Sequence, residues 1–191
     1  MATALPKGPS IADLLAWERT QPERHECIDG LVRAMTGGTA AHNRIVKNLA
    51  AAFRAALRGT SCEEFIESMK VVTAFAFTYP DVVVTCSPVI QGSDVVPEPV
   101  LIVEVLSPGT QSWDRSGKWQ AYQTIPSLVG YLLVAQDEPR VERYARGTDG
   151  WSYHVFEGLD STIGLTQPAT TLRLAEIYER FDFPSVRTAR L

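Results

Sequence analysis

Apolar, β-branched runs alternate with amphipathic segments along this chain. Two runs, Tyr79 to Val84 and Val100 to Ser107, have the length of strands and carry one carboxylate each, Asp81 and Glu104. Strands that are apolar on both faces are usually covered on both faces. A loop rich in Pro, Gly and Ser, from Ser87 to Pro99, joins the two runs. The pattern therefore predicts two neighbouring buried strands that each contain an acid.

Helical spacing of apolar residues predicts helices over residues 10–20, 39–58, 114–124 and 172–181. Ser10 begins the first helix with capping-box spacing, and Thr39 and Asp114 are predicted N-caps of the second and third. Asp29-Gly30 indicates a hairpin turn. Further strands are predicted as two between Glu63 and Thr85, one over 129–135, and a pair over 140–145 and 151–157. The resulting prediction is an α/β fold, with a mixed central sheet flanked by helices.

Composition limits how this fold is organised. The chain has 191 residues, 45% of them hydrophobic, which is enough for one domain with a sizeable core. We predict a leader over 1–9, a single domain over 10–181 and a tail over 182–191. Cys27, Cys62 and Cys86 show no metal-ligand spacing and are predicted to be reduced. The chain shows neither a signal peptide nor a run long enough to span a bilayer, which favours a cytoplasmic protein without membrane contact.

The net charge of −4 means that nucleic acid would have to bind at a local patch. One side of the second predicted helix offers such a patch, because no acid interrupts its basic residues. These are Arg44, Lys47, Arg54 and Arg58. A solvated outer face is the alternative interpretation of this stripe. His42, in the first turn of the same helix, is predicted to be a core or cap residue.

Asp81 and Glu104 require partners, because an ionised carboxylate in a buried strand is otherwise costly. Backbone donors or arginines could satisfy them. A divalent cation is the other possibility, since Mg²⁺ binds carboxylate oxygens together with water and phosphate oxygens. A nearby lysine would complete such a site by holding charge on a reacting phosphate. Lys118 is the candidate lysine. Lys70 is the second choice for this role, but the favoured interpretation of Lys70 is an exposed strand residue.

Tyr79-Pro80-Asp81 followed by Glu104-Val105-Leu106-Ser107 resembles the PD-(D/E)XK nuclease superfamily, and within it the Uma-two endonuclease family. Further segments fall in the order that this family shows. They are Glu26-Cys-Ile-Asp-Gly30, Gly37-Gly-Thr39 with His42-Asn43, Asp114-Arg-x-x-Lys118-x-x-x-Tyr122, Pro126-Ser-Leu128 and Leu172 to Tyr178. The resemblance covers roughly residues 10–181 and implies a restriction-endonuclease-like fold.

The resemblance also implies the chemistry of the site. Asp81, Glu104 and the carbonyl of Val105 would bind Mg²⁺ or Mn²⁺, and Glu26 would be a third acidic member, acting through water or a second ion. Leu106 stands where the superfamily has its motif lysine. A lysine moved to the following helix, Lys118, would replace it. The predicted activity is that of a DNA endonuclease.

Double-stranded DNA is the predicted substrate, and a two-fold homodimer would match the symmetry of the duplex. Two other classes of function remain open at this point. A nuclease fold that has lost activity with its motif lysine would bind nucleic acid without cleaving it. A hydrolase of small phosphorylated or glycosidic substrates would use Asp81 and Glu104 as an acid–base pair and would need no metal.

Overall fold

The computed structural model describes residues 8–35 and 37–183. Its strands, in chain order, are β1 (His25–Ile28), β2 (Leu31–Ala34), β3 (Glu63–Ile66), β4 (Val71–Val72), β5 (Ala76–Thr78), β6 (Val82–Thr85), β7 (Pro99–Val105), β8 (Gly130–Val134), β9 (Arg140–Gly147), β10 (Gly150–Glu157), β11 (Thr162–Thr166) and β12 (Ala169–Arg173). Its helices are α1 (Ile11–Glu18), α2 (Ala40–Ala56), α3 (Gln111–Trp113), α4 (Trp119–Tyr122) and α5 (Leu174–Ile177), with a π-helical turn (Asp114–Lys118) joining α3 to α4.

The central sheet has six strands in the order β10-β9-β8-β7-β6-β3. The β7–β8 pair is parallel, and the other neighbouring pairs are antiparallel. A second sheet has the order β2-β1-β5-β4, and β11 pairs with β12. Helices pack against this arrangement, so the predicted α/β class with a mixed central sheet is confirmed.

The two faces of the central sheet carry separate parts of the core. Leu101, Val103 and Val105 of β7 join the cluster that contains α2, whereas Ile102 and Leu106 join the cluster that contains Tyr122 of α4. Side chains along a strand point alternately to opposite faces. Glu104, between Val103 and Val105, therefore lies on the side of the sheet that α4 covers.

The caps of the first two helices match the sequence. Ser10 Oγ accepts a hydrogen bond from Asp13 N (3.2 Å), and the Asp13 carboxylate accepts one from Ser10 N (3.0 Å), which completes the predicted capping box. Thr39 Oγ1 accepts from His42 N at 3.2 Å and begins α2. The hairpin at Asp29-Gly30 is also confirmed, because both residues have positive φ angles of 50° and 78° and connect β1 to β2.

Several predicted elements are wrong in their details. The stretch from Glu63 to Thr85 forms four strands, not two, because the chain leaves the central sheet after β3 and returns to it at β6. β4 and β5 are too short to show a period. The β11–β12 hairpin was not predicted. The third helix begins at Gln111, so Asp114 is not its N-cap but the first residue of the π-helical turn.

The predicted leader and tail lie mostly outside the described residues, and the single-domain boundaries stay a prediction. Among the residues that the structure describes, no helix combines the length and the apolar character needed to cross a bilayer.

The prediction of reduced cysteines is wrong for two of the three. Cys27 is free and buried, but Cys62 and Cys86 form a disulfide. The antiparallel pairing of β3 with β6 sets Glu63 opposite Thr85, so the flanking residues 62 and 86 also meet. Their separation of 24 residues gives no hint of this contact.

Lys70 is buried rather than exposed, with 4% of its surface accessible. Its Nζ lies 3.1 Å from Glu18 Oε2 and 2.9 Å from Asp94 Oδ2. The Tyr79 hydroxyl donates to the other Glu18 oxygen at 2.7 Å. The charged network therefore connects α1, the loop after β6 and the segment before β6 around one lysine.

Lys70→Met is expected to reduce the free energy of unfolding by about 3 kcal/mol, because it leaves the buried Glu18 carboxylate without its cation. Chemical denaturation measures the effect beside Lys47→Met, which removes the same charge from an exposed position of α2. The hydrogen bond from Lys70 lowers the pKa of Asp94. The stabilisation that accompanies this lowered pKa is present above the unfolded-state pKa of an aspartate and is lost as pH falls. The difference in unfolding free energy between wild type and Lys70→Met should therefore shrink below about pH 4. Equal stabilities for the two variants would contradict this role.

Candidate functional site

Asp81 and Glu104 occupy neighbouring positions on one face of the central sheet. The antiparallel register of β6 and β7 pairs Val82 with Val103, which sets Asp81, just before β6, opposite Glu104. Residues opposite each other in an antiparallel pair project to the same face. Neither carboxylate contacts an arginine among the described residues, so the interpretation that arginines satisfy these two acids is wrong.

Lys118 lies among three carboxylates. Its Nζ is 3.0 Å from Glu26 Oε1, 3.1 Å from Glu104 Oε1 and 3.3 Å from Asp114 Oδ1, and only 5% of the residue is exposed. Burial lowers the pKa of Lys118, but Glu104, Glu26 and Asp114 outweigh that effect and raise it well above its ordinary value. The amine is therefore held as an ammonium ion.

The π-helical turn positions this lysine. Such turns add a residue to the helical register and are frequent at functional sites. Here the turn places Asp114 and Lys118 on the side that faces the sheet, and both are buried. A Cβ at Gly117 would lie 3.3 Å from Trp113 and 3.4 Å from Ile28. The small size of Gly117 therefore serves packing of the helix.

Glu104 is 3% exposed and receives donors from the helix that covers it. Its Oε1 accepts from the Tyr122 hydroxyl at 2.9 Å and from Lys118 at 3.1 Å. Burial raises the pKa of Glu104 well above its ordinary value, Lys118 lowers it, and the charges of Asp114, Asp81 and Glu26 raise it further. Three carboxylates thus lie within 3.3 Å of the Lys118 ammonium, and the charge of Asp81 acts on the same group through Glu104.

Glu26 meets the site from β1. Its Oε1 accepts the Tyr79 amide at 2.9 Å in addition to its contact with Lys118. The structure therefore brings together Glu26, Asp81, Glu104 and Lys118, the residues that the sequence selected. Asp114, which the sequence indicated as a helix cap, joins them.

Asp81 is oriented by two neighbours. Its Oδ2 accepts the Val105 amide at 2.6 Å, and its Oδ1 lies 3.2 Å from His42 Nε2. Val105 thus contacts Asp81 through its N–H, and the predicted ligand role of its carbonyl stays a prediction. His42 was predicted to be a core or cap residue. Its side chain instead contacts Asp81 from the first turn of α2.

His42, Glu67 and Asp81 form a cluster with metal-binding potential. One ligand atom from each lies within 4.8 Å of the others. His42 Nδ1 is buried and lies 3.9 Å from Glu67 Oε1, and it has no hydrogen-bond partner among the residues that the structure describes. Burial lowers the pKa of His42, but Asp81 and Glu67 outweigh it and raise the pKa. Glu67 was not predicted, because it lies outside any sequence motif. It follows β3 and has an unusual φ of 52°.

The four basic residues predicted to bind nucleic acid differ in their surroundings. Arg44 and Lys47 are exposed on the N-terminal half of α2. Arg54 Nε lies 2.8 Å from Glu64 Oε1, so this guanidinium already has a carboxylate partner. Arg58 lies beyond the end of α2. The sequence could not show the Glu64 contact, because it depends on β3 packing beside α2.

The chain is similar to one protein family and to individual known proteins. The family model described as "Uma2: Putative restriction endonuclease" matches residues 11–175. Two Synechocystis proteins are similar to the chain: "Uncharacterized protein slr1290" is 38% identical over 165 residues, 82% of this chain and 87% of its own length. "Uncharacterized protein sll1609" is 32% identical over 154 residues, 78% of this chain and 87% of its own length.

A solved structure has a similar fold. It is a protein from Anabaena variabilis described as a "putative nuclease belonging to DUF820", with a TM-score of 0.73 and 17% sequence identity. The alignment covers 89% of this chain and 97% of that one. The likeness extends over nearly the whole architecture.

Proposed function

This chain belongs to the Uma2 family of restriction-endonuclease-like proteins, and from that membership we propose that it is a metal-dependent endonuclease acting on double-stranded DNA. The observation that carries the proposal is that Glu26, Glu104 and Asp114 surround Lys118, while Asp81 lies opposite Glu104 on the neighbouring strand. Buried acids in such excess require cationic charge to remain ionised. One lysine supplies part of that charge, and a divalent cation would supply the rest.

The residues around Asp81 fit such an ion. Asp81 would be the central ligand, with Glu104 and the carbonyl of Val105 on the strand side. His42 and Glu67 offer a nitrogen and a further carboxylate, and among the described residues His42 Nδ1 has no hydrogen-bond partner, whereas Nε2 lies 3.2 Å from Asp81. Carboxylates suit Mg²⁺ and Mn²⁺, and an imidazole favours Mn²⁺ of the two. A bound divalent ion would supply a water of lowered pKa and neutralise charge on the phosphate.

Lys118 is proposed to act as a cation. Because it is held protonated by three carboxylates, it cannot accept a proton from water in this state. Its ammonium can instead orient the attacking water through Glu104 and stabilise charge on the phosphate oxygens. This role corresponds to that of the motif lysine which Leu106 replaces.

Glu26 and Tyr122 are proposed as positioning residues. Glu26 contacts Lys118 and the Tyr79 amide, and Tyr122 donates to Glu104, so each fixes a group that would face the substrate. The prediction that Glu26 acts through water or a second ion is retained as part of the proposal. Thr78 Oγ1 forms a hydrogen bond of 2.8 Å with the Tyr122 hydroxyl and so helps to hold it in place.

Supercoiled plasmid incubated with Mg²⁺, Mn²⁺ or EDTA tests the activity directly. We expect nicked and linear products with either ion and none with EDTA. Cleavage in EDTA would favour the acid–base hydrolase, and binding of plasmid without cleavage under any condition would favour the inactive nuclease fold. Sedimentation of the protein with and without a DNA duplex tests the proposed homodimer.

Glu67→Gln is expected to weaken Mn²⁺ binding about tenfold or more, because it removes one charged ligand while Asp81 and His42 remain. Isothermal titration with MnCl₂ measures the dissociation constant. Glu63→Gln is the matched control, since it removes an exposed carboxylate from the same segment of chain. Equal dissociation constants for the two variants would show that Glu67 is no ligand.

A further inference from the structure

The Lys118 ammonium lies where buried carboxylates from three separate elements converge. Glu26 reaches Nζ from β1, Glu104 from β7 and Asp114 from the start of the π-helical turn, at 3.0, 3.1 and 3.3 Å. The three acids are 7%, 3% and 1% exposed. Carboxylate oxygens that several parts of a chain bring to one point are the ligands that hard divalent cations take in proteins. The position of Nζ therefore has the surroundings of a cation site.

Asp114 contributes an oxygen that is directed at this position. Its Oδ1 is buried and has no hydrogen-bond partner among the residues that the structure describes. A buried carboxylate oxygen without a donor is costly unless a cation compensates its charge. The cation that faces Asp114 Oδ1 is the Lys118 ammonium. This oxygen is therefore held in place for a positive charge.

The spacing of the three oxygens matches an ammonium ion. Charged nitrogen donors lie about 2.7 to 3.2 Å from the oxygens that they contact, whereas hard divalent cations bind oxygen at about 2.0 to 2.6 Å. The distances from Lys118 Nζ fall in or near the first range. A divalent ion at the same point would require the carboxylates to move inward and the amine to leave. As long as Lys118 is present, its ammonium occupies the space that such an ion would need.

This position is distinct from the cluster around Asp81. In the part of the chain that the structure describes, the ion-pair contacts of Lys118 are with Glu26, Glu104 and Asp114 and do not include Asp81. Asp81 instead contacts the Val105 amide and His42. The site therefore has two places for positive charge, one at Asp81 and one at Lys118 Nζ, with Glu104 bordering both.

We infer that the Lys118 ammonium fills a second cation position, formed by Glu26, Glu104 and Asp114, so that the protein binds a single divalent ion, at Asp81. The single ion at Asp81 rests on the proposed function. The inference also decides between the two roles proposed for Glu26, because a second ion cannot reach this carboxylate while Lys118 is present. It further implies that removal of the amine turns the same three acids into a divalent-metal site.

Counting bound Mn²⁺ by electron paramagnetic resonance during titration with MnCl₂ tests the inference. The wild type should bind one ion per chain. Lys118→Ala removes the charge and leaves a cavity beside the three acids, so it should bind a second ion. Lys118→Met is the matched control, since it removes the same charge but fills the space, and it should bind one ion only.

Asp114→Asn identifies where the second ion binds. Added to Lys118→Ala, it should weaken binding of the second ion about tenfold or more, because it removes one charged ligand. In the wild-type background it should leave one ion bound and change the dissociation constant less than about threefold, since Asp114 does not contact Asp81. MnCl₂ should also raise the melting temperature of Lys118→Ala more than that of the wild type, because it binds an additional site in the folded protein.

The outcomes separate this inference from the proposed site at Asp81. A second ion on the wild-type chain would overturn the inference, and so would a second ion bound equally by Lys118→Ala and Lys118→Met. A Lys118→Ala protein that gains no ion, or whose refolding MnCl₂ does not improve, would overturn it as well. If the wild type binds no Mn²⁺ but Lys118→Ala binds one ion, the metal site at Asp81 is refuted while the cation position at Lys118 is supported.

Discussion

Asp81→Asn should reduce metal-dependent cleavage of plasmid about a thousandfold, because it removes the charge that the proposed site places at its centre. Losing several kcal/mol of transition-state stabilisation corresponds to a factor of this size. The asparagine keeps an oxygen that can still accept the Val105 amide, so the local backbone should be preserved. Initial rates of nicking at saturating Mn²⁺ measure the effect.

Asp149→Asn provides the control for this variant, since Asp149 is exposed in the turn between β9 and β10, away from β6. Both variants should melt within a few degrees of wild type. An Asp81→Asn protein that retains more than about a tenth of the wild-type rate would show that Asp81 is not central to cleavage.

Lys118→Met should lower both activity and stability. It leaves Glu26, Glu104 and Asp114 as buried carboxylates without their shared cation, which is expected to cost about 3 to 5 kcal/mol of unfolding free energy. Cleavage at a temperature far below unfolding should fall about a hundredfold, as for the loss of one charge-stabilising donor. Urea denaturation and plasmid nicking measure the two effects separately.

A double-mutant cycle distinguishes the charge network from packing. In Lys118→Met/Glu104→Gln the buried excess charge is smaller, so the double variant should be less destabilised than the sum of its single variants by at least about 1 kcal/mol. Strict additivity would mean that Lys118 contributes through packing alone. Unchanged activity in the folded Lys118→Met protein would refute the proposal that this lysine replaces the motif lysine.

Local signals predicted α2 and the hairpin at Asp29-Gly30 well. The Thr39 cap and the apolar stripe act within a few residues of each other, and the positive φ angles of the hairpin follow from its turn residues. The central sheet was also predictable, because the runs around Asp81 and Glu104 are long and uninterrupted. The order of these two runs in the family pattern indicated that they form neighbouring strands.

Long-range pairing explains what the sequence did not reveal. The Cys62–Cys86 disulfide and the position of Glu67 both depend on the pairing of β3 with β6. Between these two strands the chain forms β4 and β5, which belong to the second sheet. Lys70 was placed at the surface because nothing local shows that Glu18 and Asp94 converge on it. The surroundings of each of these residues depend on a contact between segments that are distant in sequence. Neither hydrophobic periodicity nor motif spacing indicates such a contact.

Binding of Mn²⁺ at equilibrium, followed by electron paramagnetic resonance of the free ion, tests most directly whether one ion binds between Asp81 and Glu104. The wild-type protein should bind Mn²⁺ saturably, Asp81→Asn should abolish that binding, and Glu104→Gln should weaken it while both variants remain folded. Mn²⁺ binding that is the same in all three proteins would contradict a metal site at these two carboxylates.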